Sequence, residues 1–362
     1  MEGISREFVA AAAPGSGRAG AGGHPCQGLW HRPAKGPAPR TAVIATHYDI
    51  DFAEHYLAEP LAARGIGFLG WNTRFRGLGT YFQLAPALAD IAVGVRWLRE
   101  VAGAETVVIL GNSGGASLMG AYQAEAEAEA TGEHPAANHP AADRFVSICA
   151  HPGRPDILTE WLDPSVIDEA DPLSVDPALD LFSGAFGPPF APEFVERYRA
   201  AQIARNERIT AWAKSELARL GAAGSWDRVF TVHRAWADPR FVDLALDPSE
   251  RETGCYFGDP RVANAGPFNL ASTCTLRSWL AMWSLAESDC RAHRHLPRIT
   301  VPAIVIQSTG DQGCFPSHAR AIHEQLGSVE KQLVWVPGDH YLLAPAGQRD
   351  EVADLIAAWL DR

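Results

Sequence analysis

No two of the six cysteines (Cys26, Cys149, Cys255, Cys274, Cys290, Cys314) are spaced as C-x-x-C, and they follow no regular framework. That pattern speaks against a disulfide scaffold or a cysteine-built metal centre, and the thiols read as free in a reducing compartment. A basic excess is missing as well. The 362 residues carry 43 acidic against 31 basic side chains, a formal net charge of -12, and no Lys/Arg run interleaved with aromatics occurs. Nucleic acid and anionic membrane are therefore excluded as expected partners. No apolar run approaches the length of a membrane span, and the opening MEGISREFVAAAAPGSGRAGAGG lacks the basic start and long apolar centre of a secretory signal. The expectation is a cytoplasmic protein with a small-molecule substrate, its oligomeric state left open.

What is present is alternation. Residues 1–39 are rich in Gly, Ala and Pro and read as a lead too poor in large apolar side chains to pack a core. From residue 40, short apolar runs alternate with segments of helical period: TAVIAT, IGFLGW, TVVILG and RFVSICA as strands, with FAEHYLAEPLAARG, LAPALADIAVGVRWLREVAG and GGASLMGAYQAEAEAEA as helices. The AEAEAEA stretch reads as a solvated helix end. Between residues 151 and 297 the alternation stops. Prolines are frequent there, and two amphipathic segments, FVERYRAAQIARNERITAWAKSELARL and TLRSWLAMWSLAESD, indicate a mainly helical insertion. It holds many aromatics, among them Trp161, Phe186, Phe190, Phe194, Tyr198, Trp236, Phe241, Trp279 and Trp283, most of which a helical insertion needs for its own core. From residue 298 to 362 the alternation resumes with PAIVIQS, PSHARAIHEQLG, KQLVWV and RDEVADLIAAWL. The fold class is thus α/β, a mostly parallel sheet flanked by helices and split into residues 40–150 and 298–362 by a cap at 151–297.

Three positions carry chemistry. Gly111-Asn112-Ser113-Gly114-Gly115 matches G-x-S-x-G between a predicted strand and a predicted helix, where a tight turn lifts a Ser hydroxyl away from the sheet. Such a Ser needs a base and a carboxylate to orient it. Asp311 and His340 each stand just beyond a predicted strand, at the sheet edge where ligands of parallel sheets bind. Asp339 and Asp156 are rival acids, and Asp311 alternatively forms an Asx-turn. His293, His295, His318 and His323 lack paired ligand spacing, so neither metal nor cofactor is expected. Cys314 reads as a small buried thiol.

In order and context, Ser113, Asp311 and His340 resemble the nucleophile, acid and base of the α/β-hydrolase superfamily. The resemblance implies a serine hydrolase with a large helical cap. Its oxyanion hole would be the Gly114 N–H plus a donor from the THYDID loop: the backbone of Tyr48 or Asp49, or the Tyr48 hydroxyl, as in cocaine-esterase-like and X-prolyl peptidase-like hydrolases. Where His-Gly is common in the family, His47 is followed here by Tyr48. The implied substrate is a carboxylic ester, lactone or related acyl compound with an apolar or aromatic group. A thioesterase, a C–C bond hydrolase or an acyltransferase would use the same residues, and a silent ligand-binding relative is the non-enzyme alternative.

Overall fold

The computed structural model describes residues 3–15, 25–133, 138–185 and 187–362; Phe186 and part of the TGEHPAANHPAAD loop lie outside them. Aliphatic runs without polar alternation form strands covered on both faces. In chain order the strands are β1 (Ile4–Ala12), β2 (Pro25–Pro33), β3 (Thr41–Ala45), β4 (Gly67–Asn72), β5 (Thr106–Asn112), β6 (Arg144–Ile148), β7 (Val229–Thr231), β8 (Thr273–Thr275), β9 (Ala303–Ser308) and β10 (Lys331–Val336). All but β7 and β8, which form their own antiparallel pair, join one sheet in the order β1-β2-β4-β3-β5-β6-β9-β10. β1 and β2 pair antiparallel, as do β2 and β4, and every other neighbouring pair is parallel. The carboxyl ends of the parallel strands therefore share one edge.

The helices are α1 (Ala58–Ala62), α2 (Leu84–Glu100), α3 (Gly115–Thr131), α4 (Arg154–Trp161), α5 (Pro192–Ala222), α6 (Pro260–Ala265), α7 (Leu276–Ser278), α8 (Pro316–Gln325) and α9 (Gln348–Leu360). Strand alternation sends Val43, Val108, Leu110, Val146, Ile148, Ile304 and Ile306 to one face, where they meet Leu61 of α1 and Val352, Ile356 and Trp359 of α9. Ile44 faces the other way, toward α2: a Cβ added at Gly94 would come within 2.6 Å of its Cδ1. Each such side chain contributes about 1.5–3 kcal/mol on burial, which makes the central strands the rigid part of the molecule.

Two compact units share the chain: residues 1–79, 84–152 and 292–362 hold the sheet, and residues 80–83 and 153–291 form the other. Within the second unit the first amphipathic segment is helical throughout as the 31-residue α5, whereas the second is only α7 followed by a π-turn at Trp279–Trp283. Its Asp-Pro pairs cap helical turns, Asp238 and Asp259 each accepting an N–H two residues on. Trp161, Trp236 and Phe241 stack together, and Phe190, Phe194 and Tyr198 form a second cluster.

Three expectations are corrected. Residues 1–39, read as a lead without a core, supply β1 and β2, with Cys26 and Trp30 buried. Backbone pairing needs few large side chains, and the glycine content has a packing role: a Cβ at Gly28 would lie 2.0 Å from the Gly70 carbonyl oxygen of β4. The AEAEAEA stretch is not a solvated end. Ala124 and Ala126 are fully buried, Arg298 donates to Glu125 at 2.7 Å, and the Thr300 N–H donates to Glu127 at 2.8 Å. The helix expected over FAEHYLAEPLAARG shrinks to the five residues of α1 because His55 binds the preceding turn: its Nδ1 accepts the Leu57 N–H at 3.2 Å.

That bond makes Nδ1 an acceptor, so the ring proton sits on Nε2 and faces the Asn112 Oδ1 at 3.3 Å. Burial pushes the His55 pKa down to about 3. An ordinary His in the unfolded chain titrates at about 6.5. Between these values the unfolded chain holds one more proton, so the contribution of neutral His55 is complete above pH about 6.5 and is lost as pH falls toward 3, at about 1.4 kcal/mol per pH unit. Urea midpoints measured from pH 7 to pH 4 are expected to fall less steeply for His55→Gln than for the wild type, by about one proton.

Candidate active site

The chain leaves β5 at Asn112 and enters α3 at Gly115, and Ser113 makes the turn with a left-handed φ of 55°. For a residue with a Cβ this costs about 1–2 kcal/mol. Its backbone is pinned on both sides: the Ser113 N–H donates to the Ile148 carbonyl of β6 at 3.2 Å, and its own carbonyl accepts the Ala116 N–H at 3.3 Å. Both flanking glycines are steric necessities. A Cβ at Gly111 would lie 2.3 Å from Ala116 Cα, and one at Gly115 would lie 2.5 Å from the Thr46 carbonyl oxygen. The second approach brings the start of α3 against the loop after β3. The first N–H groups of a helix have no intrahelical acceptor and stand at its positive end, and Gly114 precedes that start directly.

Asp311 follows β9 and His340 follows β10. His340 Nδ1 and Asp311 Oδ2 are 2.7 Å apart, both side chains buried. The other carboxylate oxygen, Oδ1, accepts the Gly313 and Cys314 N–H groups, each at 2.9 Å. Asp311 thus makes the Asx-type turn and also receives the imidazole. With Oδ1 taken up by two backbone N–H groups, Oδ2 is left to accept from the ring, and Nδ1 is the donor. In the neutral ring Nε2 then keeps its lone pair.

The rival acids are engaged elsewhere. Asp339 Oδ1 accepts the Tyr341 and Leu343 N–H groups at 2.7 and 3.2 Å. Asp156, in the second unit, forms an ion pair with Arg291 at 2.6 Å. Tyr48 is fully buried and its hydroxyl lies 2.9 Å from Ser117 Oγ, which itself donates to the Gly114 carbonyl at 3.0 Å. The hydroxyl of Tyr48 and the backbone N–H groups of Tyr48 and Asp49 are the candidates from this loop for a second oxyanion donor.

Two solved structures are similar over almost the whole chain. GrgF from Penicillium sp. sh18, described as an α/β hydrolase, gives a TM-score of 0.53 at 12% identity and covers 99% of this chain and 97% of its own. DcsB, solved in complex with its substrate analogue, gives a TM-score of 0.54 at 12% identity and covers 99% and 98%. No family model and no curated protein sequence matches the chain. The chain has the α/β-hydrolase fold.

Within the α/β-hydrolase fold, the unit that holds the sheet contains further site residues that sequence reasoning missed. His55 and Asn112 form a buried pair beneath the turn, with Asn112 Nδ2 donating to the Ile148 carbonyl at 3.0 Å. Asn112 stands inside the motif, yet its partner lies 57 residues away, so no local spacing announces the pair. Cys314, read from the sequence as a small buried thiol, has its sulfur within 4.8 Å of ligand atoms of both Asp311 and His340. The signal available was the three-residue spacing from Asp311, which the turn folds back on itself. His318 caps α8, its Nδ1 accepting the Phe315 N–H at 3.2 Å. Among the described residues, no helix is long and apolar enough to cross a membrane.

The strain at Ser113 has a measurable consequence. Ser113→Gly and Ser113→Ala both remove the hydroxyl, but only glycine adopts a φ of 55° without penalty. The Gly variant is expected to unfold at a higher urea concentration than the Ala variant, by about 1 kcal/mol. Equal midpoints would mean that the turn relaxes once the hydroxyl is gone.

Proposed function

We propose that this protein is a serine hydrolase that cleaves a carboxylic ester, lactone or related acyl compound through an acyl-enzyme on Ser113. The observation carrying this reading is the buried 2.7 Å bond between His340 Nδ1 and Asp311 Oδ2, on the same sheet edge as a Ser held at φ 55°. Ser113 Oγ attacks the carbonyl carbon while His340 Nε2 takes its proton, and Asp311 stabilises the resulting imidazolium. The negative oxygen of the tetrahedral intermediate is received by the Gly114 N–H and a donor from the Tyr48 region, a backbone N–H of Tyr48 or Asp49 or the Tyr48 hydroxyl. Collapse expels the alcohol, which leaves with the proton from His340. Water then attacks the acyl-enzyme with His340 as base, and the acid is released with Ser113 restored.

A Ser at the turn disfavours the haloalkane dehalogenase and epoxide hydrolase chemistries, which need a carboxylate there. The preference for an apolar or aromatic group rests on the aromatic content of the insertion, which leaves the sheet-bearing unit after Pro152 at the carboxyl end of β6. Six free, buried cysteines fit a cytoplasmic protein. Thioesters, C–C bonds and non-water acceptors would engage the same three residues.

Intact mass after exposure to a fluorophosphonate tests the mechanism. One adduct is expected on the wild type, none on Ser113→Ala and a much slowed one on His340→Ala, with kcat on a short aryl ester lowered about 10^4-fold or more in both variants. A folded wild-type protein that takes no adduct would overturn the hydrolase reading in favour of a ligand-binding role.

A further inference from the structure

The loops after β9 and β10 bring three different metal-ligating side chains into one volume. A carboxylate oxygen of Asp311, the sulfur of Cys314 and a ring nitrogen of His340 all lie within 4.8 Å of one another, and all three residues are buried. The convergence is built by the backbone. Asp311 Oδ1 accepts the Cys314 N–H at 2.9 Å, which curls the loop, and Gln307 Nε2 donates to the Cys314 carbonyl at 2.9 Å, which holds it. Nothing in the proposed hydrolysis uses the thiol.

We propose that Asp311, Cys314 and His340 form a binding site for a thiophilic divalent cation such as Zn2+, and that its occupancy stops His340 from acting as a base. Binding needs only the three side chains; the inhibitory consequence rests on the hydrolase reading above. Zinc takes sulfur at about 2.3 Å and nitrogen or oxygen at about 2.0 Å in a tetrahedron, which sets neighbouring ligand atoms about 3.3–3.5 Å apart. The widest ligand pair needs a closure of roughly 1.5 Å at most, and binding through Nδ1 and Oδ2, now 2.7 Å apart, needs an opening of roughly 0.6 Å. Thiolate, imidazole and carboxylate together select a borderline-soft ion over Mg2+ or Ca2+. One carboxylate and one thiolate also cancel the charge of a divalent ion, so the occupied site buries no net charge.

Binding exchanges the Cys314 thiol proton for the cation, and that proton leaves to solvent. If His340 binds through Nδ1, its ring proton moves to Nε2; if it binds through Nε2, the lone pair is consumed. In either case the imidazole can no longer accept the proton of Ser113. Cys149 supplies the control: its Sγ donates to Ser308 Oγ at 3.4 Å, and it is not among the three converging ligands.

Co2+ alone, added to the full chain, is the spectroscopic probe, with Zn2+ as competitor. The wild type and Cys149→Ser are expected to show a thiolate-to-cobalt charge-transfer band in the near ultraviolet that Zn2+ displaces. Cys314→Ser is expected to lack the band and to bind Zn2+ more weakly by about tenfold or more; Cys314→Ala takes its place if circular dichroism shows the Ser variant unfolded. Hydrolysis of a short aryl ester, taken relative to each protein's own zinc-free rate, should fall with Zn2+ and recover with EDTA in the wild type, and need about tenfold more Zn2+ in the Cys314 variant. No cobalt–thiolate band, or equal Zn2+ affinity with and without Cys314, overturns the site. Zn2+ binding without loss of hydrolysis overturns its inhibitory role. The expected band in a protein with no measurable hydrolysis supports the cation site and counts against the hydrolase reading instead.

Discussion

The backbone at Ser113 is the constraint on which the rest of the site depends. A left-handed φ at a residue with a side chain is unfavourable by about 1–2 kcal/mol, so it persists only where the surroundings leave the chain no better path. Those surroundings are visible atom by atom. β5 is paired on both sides, by β3 and by β6, and the ladder to β6 runs one residue past the strand so that Ile148 still accepts the Ser113 N–H. α3 must begin at once because Gly111 and Ala116 touch. Against the buried aliphatic side chains of β5, each contributing about 1.5–3 kcal/mol, the strain of one turn is minor, and the sheet prevails.

A comparable constraint appears at Asp311. A buried polar group left without partners is costly, and Asp311 meets this with three N–H groups distributed over two oxygens: two from its own loop and one from His340. The loop bonds fix where the carboxylate points; the remaining oxygen fixes the imidazole. Orientation of the His340 imidazole is therefore inherited from a local turn. Asp339, adjacent to His340, caps its own turn with one oxygen receiving two N–H groups and so shapes the loop that carries the imidazole.

Strands β3, β4, β5, β6, β9 and β10 were legible because each is a short aliphatic run bounded by turn residues, a pattern that follows from burial on both faces. Ser113, Asp311 and His340 were legible because each stands directly after such a run. What escaped reading depends on partners distant in sequence. β1 and β2 draw their stability from pairing with each other and with β4 more than from large side chains, so a composition dominated by Gly and Ala hid them. FAEHYLAEPLAARG has helical period, yet the ring of His55 captures the Leu57 N–H and delays the helix until Ala58. The burial of Tyr48 and the pairing of its hydroxyl with Ser117 follow from the approach of α3 to the loop after β3, and nothing near Tyr48 in the chain encodes that approach.

His55 and Asn112 show how a polar pair can rigidify a site without titrating in it. Asn112 is fixed through both ends of its amide, by the His55 ring at one and the Ile148 carbonyl at the other, and the same carbonyl receives the Ser113 N–H. One backbone oxygen of β6 thus ties the residue before the turn and the residue at its apex. A charged partner in the position of His55 would place a charge close beneath the strained turn and would require ionic compensation that the aromatic rings around it, Phe52, Tyr56 and Phe68, do not offer. A histidine held neutral by burial supplies the hydrogen-bond geometry alone, and this leaves the ionisation chemistry of the sheet edge to the loops after β9 and β10.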